Sequence, residues 1–249
     1  MNPNAGPQAM VSAGTSSRRA VDCPQGLEYL LSVDQLLIKQ KIEVLELLTG
    51  FETNNRYDVH NNLGQNIFLA LEDTDCCTRM CCGPQRPFDM RILDHSQREV
   101  IHLERPLRCE ACCFPCCFPC CLQELDVFAP PRHLIGRIVQ EWSCLRLLFR
   151  VETASGQRVF QIVGPICTMS LFCDDVEFEV MSYENSQKQW SGLLREAFTD
   201  ADFYGVIFPM DLDVKLKVCL LAATFLIDYM YFEERPREDK NKDNSSRNR

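Results

Sequence analysis

A mainly β fold, a sandwich or a barrel of many short strands, is the architecture this 249-residue chain predicts. Three observations lead there. Short runs such as Ile67–Leu71, Phe88–Leu93 and Val159–Val163 alternate apolar and polar residues with the two-residue period of a half-buried strand. Three segments share one form, strand then polar turn then strand, with turns at Asn61–Gln65, Asp94–Arg98 and Thr153–Gln157. Such turns need Gly, Asn, Asp or Ser at the tip, where a positive φ or a local side-chain bond closes the hairpin. Finally, many short strands with regular turns are the pattern of sandwiches and barrels.

The elements follow in chain order. Residues 1–23 are rich in Asn, Pro, Gly, Ser and Ala and read as a flexible leader without the apolar core of a secretory signal. Residues 24–232 form the folded domain, and 233–249 a charged flexible tail. Leu36 to Leu48 fits either period and is read from its context as two strands. Cys76, Cys77, Cys81 and Cys82 are placed at strand ends or in loops. Trp190, Leu193, Leu194, Ala197 and Phe198 recur at i, i+3, i+4, i+7 and i+8, which predicts one amphipathic helix.

Val218 to Phe232 is apolar on every side, so it must be buried in protein or in lipid. Its fifteen residues make a helix of roughly 22 Å, against an apolar bilayer slab of about 30 Å. Asp228 lies inside it, at a cost of about 3 kcal/mol near a bilayer centre. Length and charge therefore favour a core helix, with Val218, Leu221, Phe225, Asp228 and Phe232 along it. Lys215 and Lys217 before it and Arg235 and Arg237 after it give no orientation.

Composition narrows the function. A hydrophobic fraction of 46% allows a large core, and a formal charge of -9 argues against nucleic acid as a partner held by net charge. Membrane contact then needs lipid anchors, an apolar segment or a bridging cation. His60, His95, His102 and His133 are scattered, and no phosphate-binding glycine loop or nucleophile elbow occurs, so an enzyme is not the reading.

Seven cysteines fall between Cys109 and Cys121. A reducing compartment, implied by the lack of a secretory signal, disfavours disulfides. Zinc needs four converging ligands, whereas adjacent cysteines in extended chain point to opposite faces. Cys76, Cys77, Cys81 and Cys82 could join such a cluster in space, which keeps zinc as an alternative. S-acylation fits better: Cys112, Cys113, Cys116, Cys117, Cys120 and Cys121 stand beside Phe114 and Phe118, which hold the segment at a bilayer surface.

Asp200 to Asp211 partly matches a twelve-residue calcium loop. Asp200 and Asp202 take positions 1 and 3, Gly205 the sharp turn at 6, and Val206 offers its carbonyl at 7. Tyr204 at 5, Phe208 at 9 and Asp211 at 12 depart from the usual ligands, which predicts low affinity for Ca2+; the alternative is an acidic surface turn.

Several stretches resemble the phospholipid scramblase family: Gly26–Leu30, Thr49–Asn55, Glu72–Cys77, Arg105–Cys109, Cys120–Glu124, Arg195–Asp202 and Phe225–Met230. The resemblance runs from about Cys23 to Phe232. It implies a closed antiparallel barrel of about twelve strands around a central apolar helix, related to tubby-like proteins. It also implies calcium-activated, ATP-independent, bidirectional movement of membrane phospholipids, with calcium at Asp200–Asp211 and palmitoyl chains on Cys112–Cys121. The location implied is the cytoplasmic face of the plasma membrane, as a single-pass or lipid-anchored protein, with self-association left open. The family also describes Val218–Phe232 as a membrane insert. Three departures stand out: a short leader without proline motifs, a single lysine before Trp190, and Phe203 where the family usually shows a polar residue. A lipid-anchored tubby-like signalling or scaffold protein that moves nothing is the competing function.

Overall fold

The computed structural model describes residues 23–41, 54–82, 86–108, 122–165, 176–183, 189–196 and 203–232. Twelve strands follow one another around a single antiparallel sheet. They are β1 (Gln35–Lys41), β2 (Arg56–Asn61), β3 (Asn66–Asp73), β4 (Phe88–Leu93), β5 (Glu99–Arg105), β6 (Glu124–Ala129), β7 (His133–Glu141), β8 (Leu148–Thr153), β9 (Arg158–Val163), β10 (Val176–Ser182), β11 (Gln189–Glu196) and β12 (Phe203–Ile207). Each strand pairs with its sequence neighbours. β1 pairs on one side with β2 and on the other with β12, so the strand order returns on itself.

The three sequence-read hairpins share one geometry. In each, the first turn residue donates its N–H to the fifth and accepts from the fourth: Asn61 with Gln65 and Gly64, Asp94 with Arg98 and Gln97, Thr153 with Gln157 and Gly156. The fourth residue takes a positive φ: 74° at Gly64, 56° at Gln97 and 79° at Gly156. Side chains brace the first position, where Asn61 Oδ1 accepts from Leu63 N and Gln65 N, and Asp94 Oδ1 from Ser96 N and Arg98 N. Those bonds, the Arg98 amide foremost, hold the Asp94 carboxyl below its ordinary range.

Among the described residues, four helical segments join the sheet. A 3₁₀ turn covers Glu28–Ser32, a short helix α1 covers Cys76–Cys82, and α2 covers Val214–Ile227, continuing as a π-turn over Asp228–Phe232. The cysteines at 76–82 therefore sit on a helix, with Asp75 accepting from Thr78 N at its start. Of the reading of Leu36–Leu48 as two strands, β1 is described and residues 42–48 lie outside the described residues.

The amphipathic helix expected over Trp190–Phe198 is corrected: Gln189–Glu196 is strand β11. The misleading spacing has a physical source. In the register, Val180 stands opposite Trp190 and Phe178 opposite Leu193, with a bulge that leaves Gly192 as the extra residue. Phe178 and Val180 are both buried. A strand with one inserted residue returns to the same side after three positions rather than two, and so imitates a helical period. Ala197 and Phe198 lie outside the described residues.

The helix reading holds, with an earlier start at Val214. Asp213 caps it by accepting from Lys215 N, and nearly all its residues from Val214 to Ile227 are buried, Val218, Leu221 and Phe225 among them. It packs against β6, β7, β8 and β12. Its approach to β7 is closest at Gly136, where a Cβ would meet Cys219 Sγ at 2.4 Å and the Glu152 carbonyl at 2.8 Å. Among the described residues, no helix is long and apolar enough to cross a membrane.

Gln97 alone among the three turn tips pays the cost of a left-handed conformation with a side chain, about 1 kcal/mol. Gln97→Gly should raise the melting temperature by roughly 2–4 °C, read by differential scanning calorimetry. An unchanged or lowered midpoint would show that the Gln97 side chain offsets its backbone.

Candidate functional site

Antiparallel neighbours in sequence order force connections to alternate between the two ends of the sheet. One end receives the short turns at 62–65, 94–98, 130–132 and 154–157 and the start of α2. The other receives the connections β1–β2, β3–β4, β5–β6, β7–β8, β9–β10 and β11–β12, and the finish of α2. This second end is the candidate site, because most of the chemically unusual residues attach there.

The connection that carries Cys109 to Cys121 leaves β5 at Arg105 and re-enters at β6. Its base is clamped. The buried Arg105 guanidinium donates to Gln123 Oε1 at 2.8 and 3.1 Å, Gln123 Nε2 donates to the Arg108 carbonyl at 3.3 Å, and Arg108 pairs with Glu124. Gln123 is tied onward to β7, receiving Gln140 N at its carbonyl (2.8 Å) and donating its own N–H to Gln140 Oε1 (2.9 Å). Cys112, Cys113, Cys116, Cys117, Cys120 and Cys121 themselves lie outside the described residues.

The finish of α2 is latched at the same end. Glu72 at the end of β3 and Arg86 before β4 form a buried ion pair, Nε to Oε1 at 2.7 Å and Nη2 to Oε2 at 3.2 Å. Tyr229 donates its hydroxyl to Glu72 Oε2 at 2.9 Å, and the Arg86 guanidinium lies 4.7 Å from the centre of its ring. Tyr57 and Phe88 pack against its ring, and Phe225 packs on Tyr57. Burial first, then Tyr229, Tyr204 and Asp228, push the Tyr57 phenol well above its ordinary value.

At the opposite end a second latch holds the start of the helix. Lys217 is fully buried, and its Nζ donates to the carbonyls of Leu30 (2.8 Å), Val33 (2.6 Å) and Met210 (3.0 Å). The face of Phe208 lies 5.1 Å away. Lys217 is thus an internal residue of α2 rather than the flanking charge the sequence suggested. Sequence reasoning also missed Glu72 and Arg86; a charge inside an apolar helix was the available signal for Lys217 alone.

The described part of the expected calcium loop is a strand. Gly205, expected at a sharp turn, is in the middle of β12, opposite Leu37 and Leu194. Val206 and Phe208 are buried in the core, and Tyr204 packs edge-on against Tyr57. Asp200 and Asp202 lie outside the described residues, and Asp211 follows β12 at the end where α2 starts. Phe203 to Ile207 are thus extended in a strand, paired on both sides, rather than wrapped as a calcium loop.

Among the described residues, Asp89, His102 and Glu104 are close enough to share a metal. They stand on β4 and β5, where Arg132 Nη2 already lies 3.2 Å from His102 Nε2 and 3.4 Å from Glu104 Oε2. Cys219, inside the core, is no acylation candidate: burial, with Asp213 second, pushes its thiol up to about 12.

Arg86→Met should destabilise the protein by about 3–5 kcal/mol, because it strands a buried carboxylate. Tyr229→Phe should cost about 2 kcal/mol through the lost bond to a charged acceptor. Urea unfolding followed by fluorescence measures both, and a loss below about 1 kcal/mol for Arg86→Met would remove the latch from the account.

A family model described as Scramblase matches residues 14–234. Phospholipid scramblase 1 of Rattus norvegicus is 52% identical over 226 residues, covering 88% of this chain and 66% of that protein. Phospholipid scramblase 2 of Bos taurus is 53% identical over 219 residues, covering 86% and 73%, and human phospholipid scramblase 1 is 50% identical over 219, covering 86% and 67%. The chain thus spans about two thirds of the length of the rat relative. Among solved structures, a protein from Arabidopsis thaliana aligns over 83% of this chain at 9% identity with a TM-score of 0.44, too weak a likeness to bear on the fold. On the extent of the family match and on these identities, the chain belongs to the phospholipid scramblase family.

Proposed function

We propose that this protein moves phospholipids between membrane leaflets, without ATP and in both directions, while acyl chains on Cys112–Cys121 hold it at the cytoplasmic face of the plasma membrane. Family membership supports the lipid substrate. The observation that carries the membrane reading is the clamped base of the cysteine connection, set at the same end as the latched finish of α2. A rigid base lets a few acyl chains fix which end of the barrel meets the bilayer, and two chains suffice for stable anchoring.

The interior of the barrel is taken by α2, so a headgroup has no route along the axis. In this reading transfer takes place outside the barrel, at its membrane-facing end, where protein disturbs the order of the adjoining leaflet. Calcium enters as a trigger alone. Asp211 follows β12 at the end where α2 starts, and single variants of Asp202 and Asp211 read their contributions separately.

The same filled interior favours a second reading, a lipid-anchored scaffold that transports nothing. Reconstitution decides. Acylated protein in liposomes is assayed by a membrane-impermeant reductant that bleaches fluorescent lipid in the outer leaflet, with and without calcium. Loss of the protected half in calcium, weakened by Asp202→Ala, is the expected result. Protection under every condition, with folded and inserted protein, would leave the scaffold.

A further inference from the structure

The β7–β8 connection carries exposed apolar residues at the end already assigned to the membrane. Trp142 is 57% and Leu145 69% exposed, and both sit on one six-residue turn. Cys144 and Arg146 on the same turn are exposed as well. Leu107, in the stretch leading from β5 to the cysteines, is 59% exposed. The turn is shaped in advance, since Ser143 Oγ accepts from Leu145 N at 3.4 Å and Arg146 N at 3.3 Å.

Its position is set by the sheet. Trp142 lies two residues beyond Gln140, which is bonded in both directions to Gln123 at the base of the cysteine connection. The turn and the base of the cysteine connection, at Arg108 and Gln123, are therefore at one end, joined through the β6–β7 pair.

We infer that the Trp142–Leu147 turn is a membrane-inserting tip whose partner is the headgroup–acyl boundary of a phospholipid bilayer. The inference rests on the proposed membrane attachment and adds a protein contact to the acyl anchor. Tryptophan suits that boundary because its ring is apolar while its N–H still needs a polar partner. Leu145 supplies apolar area, and Arg146 a cation for lipid phosphates. With a formal charge of -9, the chain gains little from overall electrostatic attraction to anionic lipid, so apolar insertion carries the contact. The opposite end exposes Tyr29, Leu63, Tyr183 and Met210 on separate segments with no tryptophan among them, and serves as the control surface.

The chain has two tryptophans, so Trp190→Phe leaves Trp142 as the sole reporter. The full, acylated protein is bound to phosphatidylcholine–phosphatidylserine vesicles containing lipids brominated near the headgroup. Blue-shifted and quenched Trp142 emission is expected. After hydroxylamine removes thioester-linked chains, Trp142→Ala/Leu145→Ala should weaken vesicle partition about tenfold. Leu63→Ala/Met210→Ala should leave it unchanged, and all variants should keep the wild-type melting temperature. Unquenched Trp142 with unchanged partition, while acylated wild type still sediments with vesicles, overturns this tip and leaves the membrane reading standing. Failure of the acylated wild type to sediment overturns both. Loss of self-association without loss of vesicle partition assigns the tip to a second copy of the chain and overturns the inference.

Discussion

Filling the space inside twelve strands is the constraint on which the rest of this structure depends. Eight strands enclose a volume that their own side chains can fill, and twelve leave a wider one. The void is closed here by α2, whose residues from Val218 to Phe225 are buried on every face. Burying so much apolar surface supplies a large stabilisation. It also explains why a segment with no polar face can belong to a protein core. The charges that a helix this apolar cannot bury freely are handled at its two ends, by carbonyls around Lys217 and by Tyr229 against the Glu72–Arg86 pair.

A filled barrel constrains function as much as fold. Lipid headgroups are excluded from the axis, so whatever the protein does to a bilayer it does from its outside. The alternation of connections gathers the long connections at one end and the tight turns at 62–65, 94–98, 130–132 and 154–157 at the other. Asymmetry of this kind follows from an up-and-down topology once the lengths of odd and even connections differ.

Much of this was legible in the sequence where local rules act alone. The three five-residue turns are announced by Asn61, Asp94 and Thr153 and by Gly64 and Gly156, because a left-handed tip is a local requirement. The apolar stretch ending at Phe232 announced a buried helix by its length and by Asp228. Failures occurred where the sheet overrides local pattern. Gly192 inserts one residue into β11 and gives Trp190 and Leu193 a helical spacing, and Gly205 looks like a turn residue but pairs in the middle of β12. Glu72 and Arg86 are fourteen positions apart, and no periodicity marks their meeting.

The central claim, that α2 is the core of the barrel rather than a bilayer span, is tested most directly by amide hydrogen exchange on the full chain in detergent-free buffer and again with vesicles. The account predicts that amides from Val218 to Phe225 are among the slowest in buffer, matched by those of β6 to β8, and that vesicles leave them unchanged. Fast exchange of the helix in buffer, becoming slow only when vesicles are added, would contradict it.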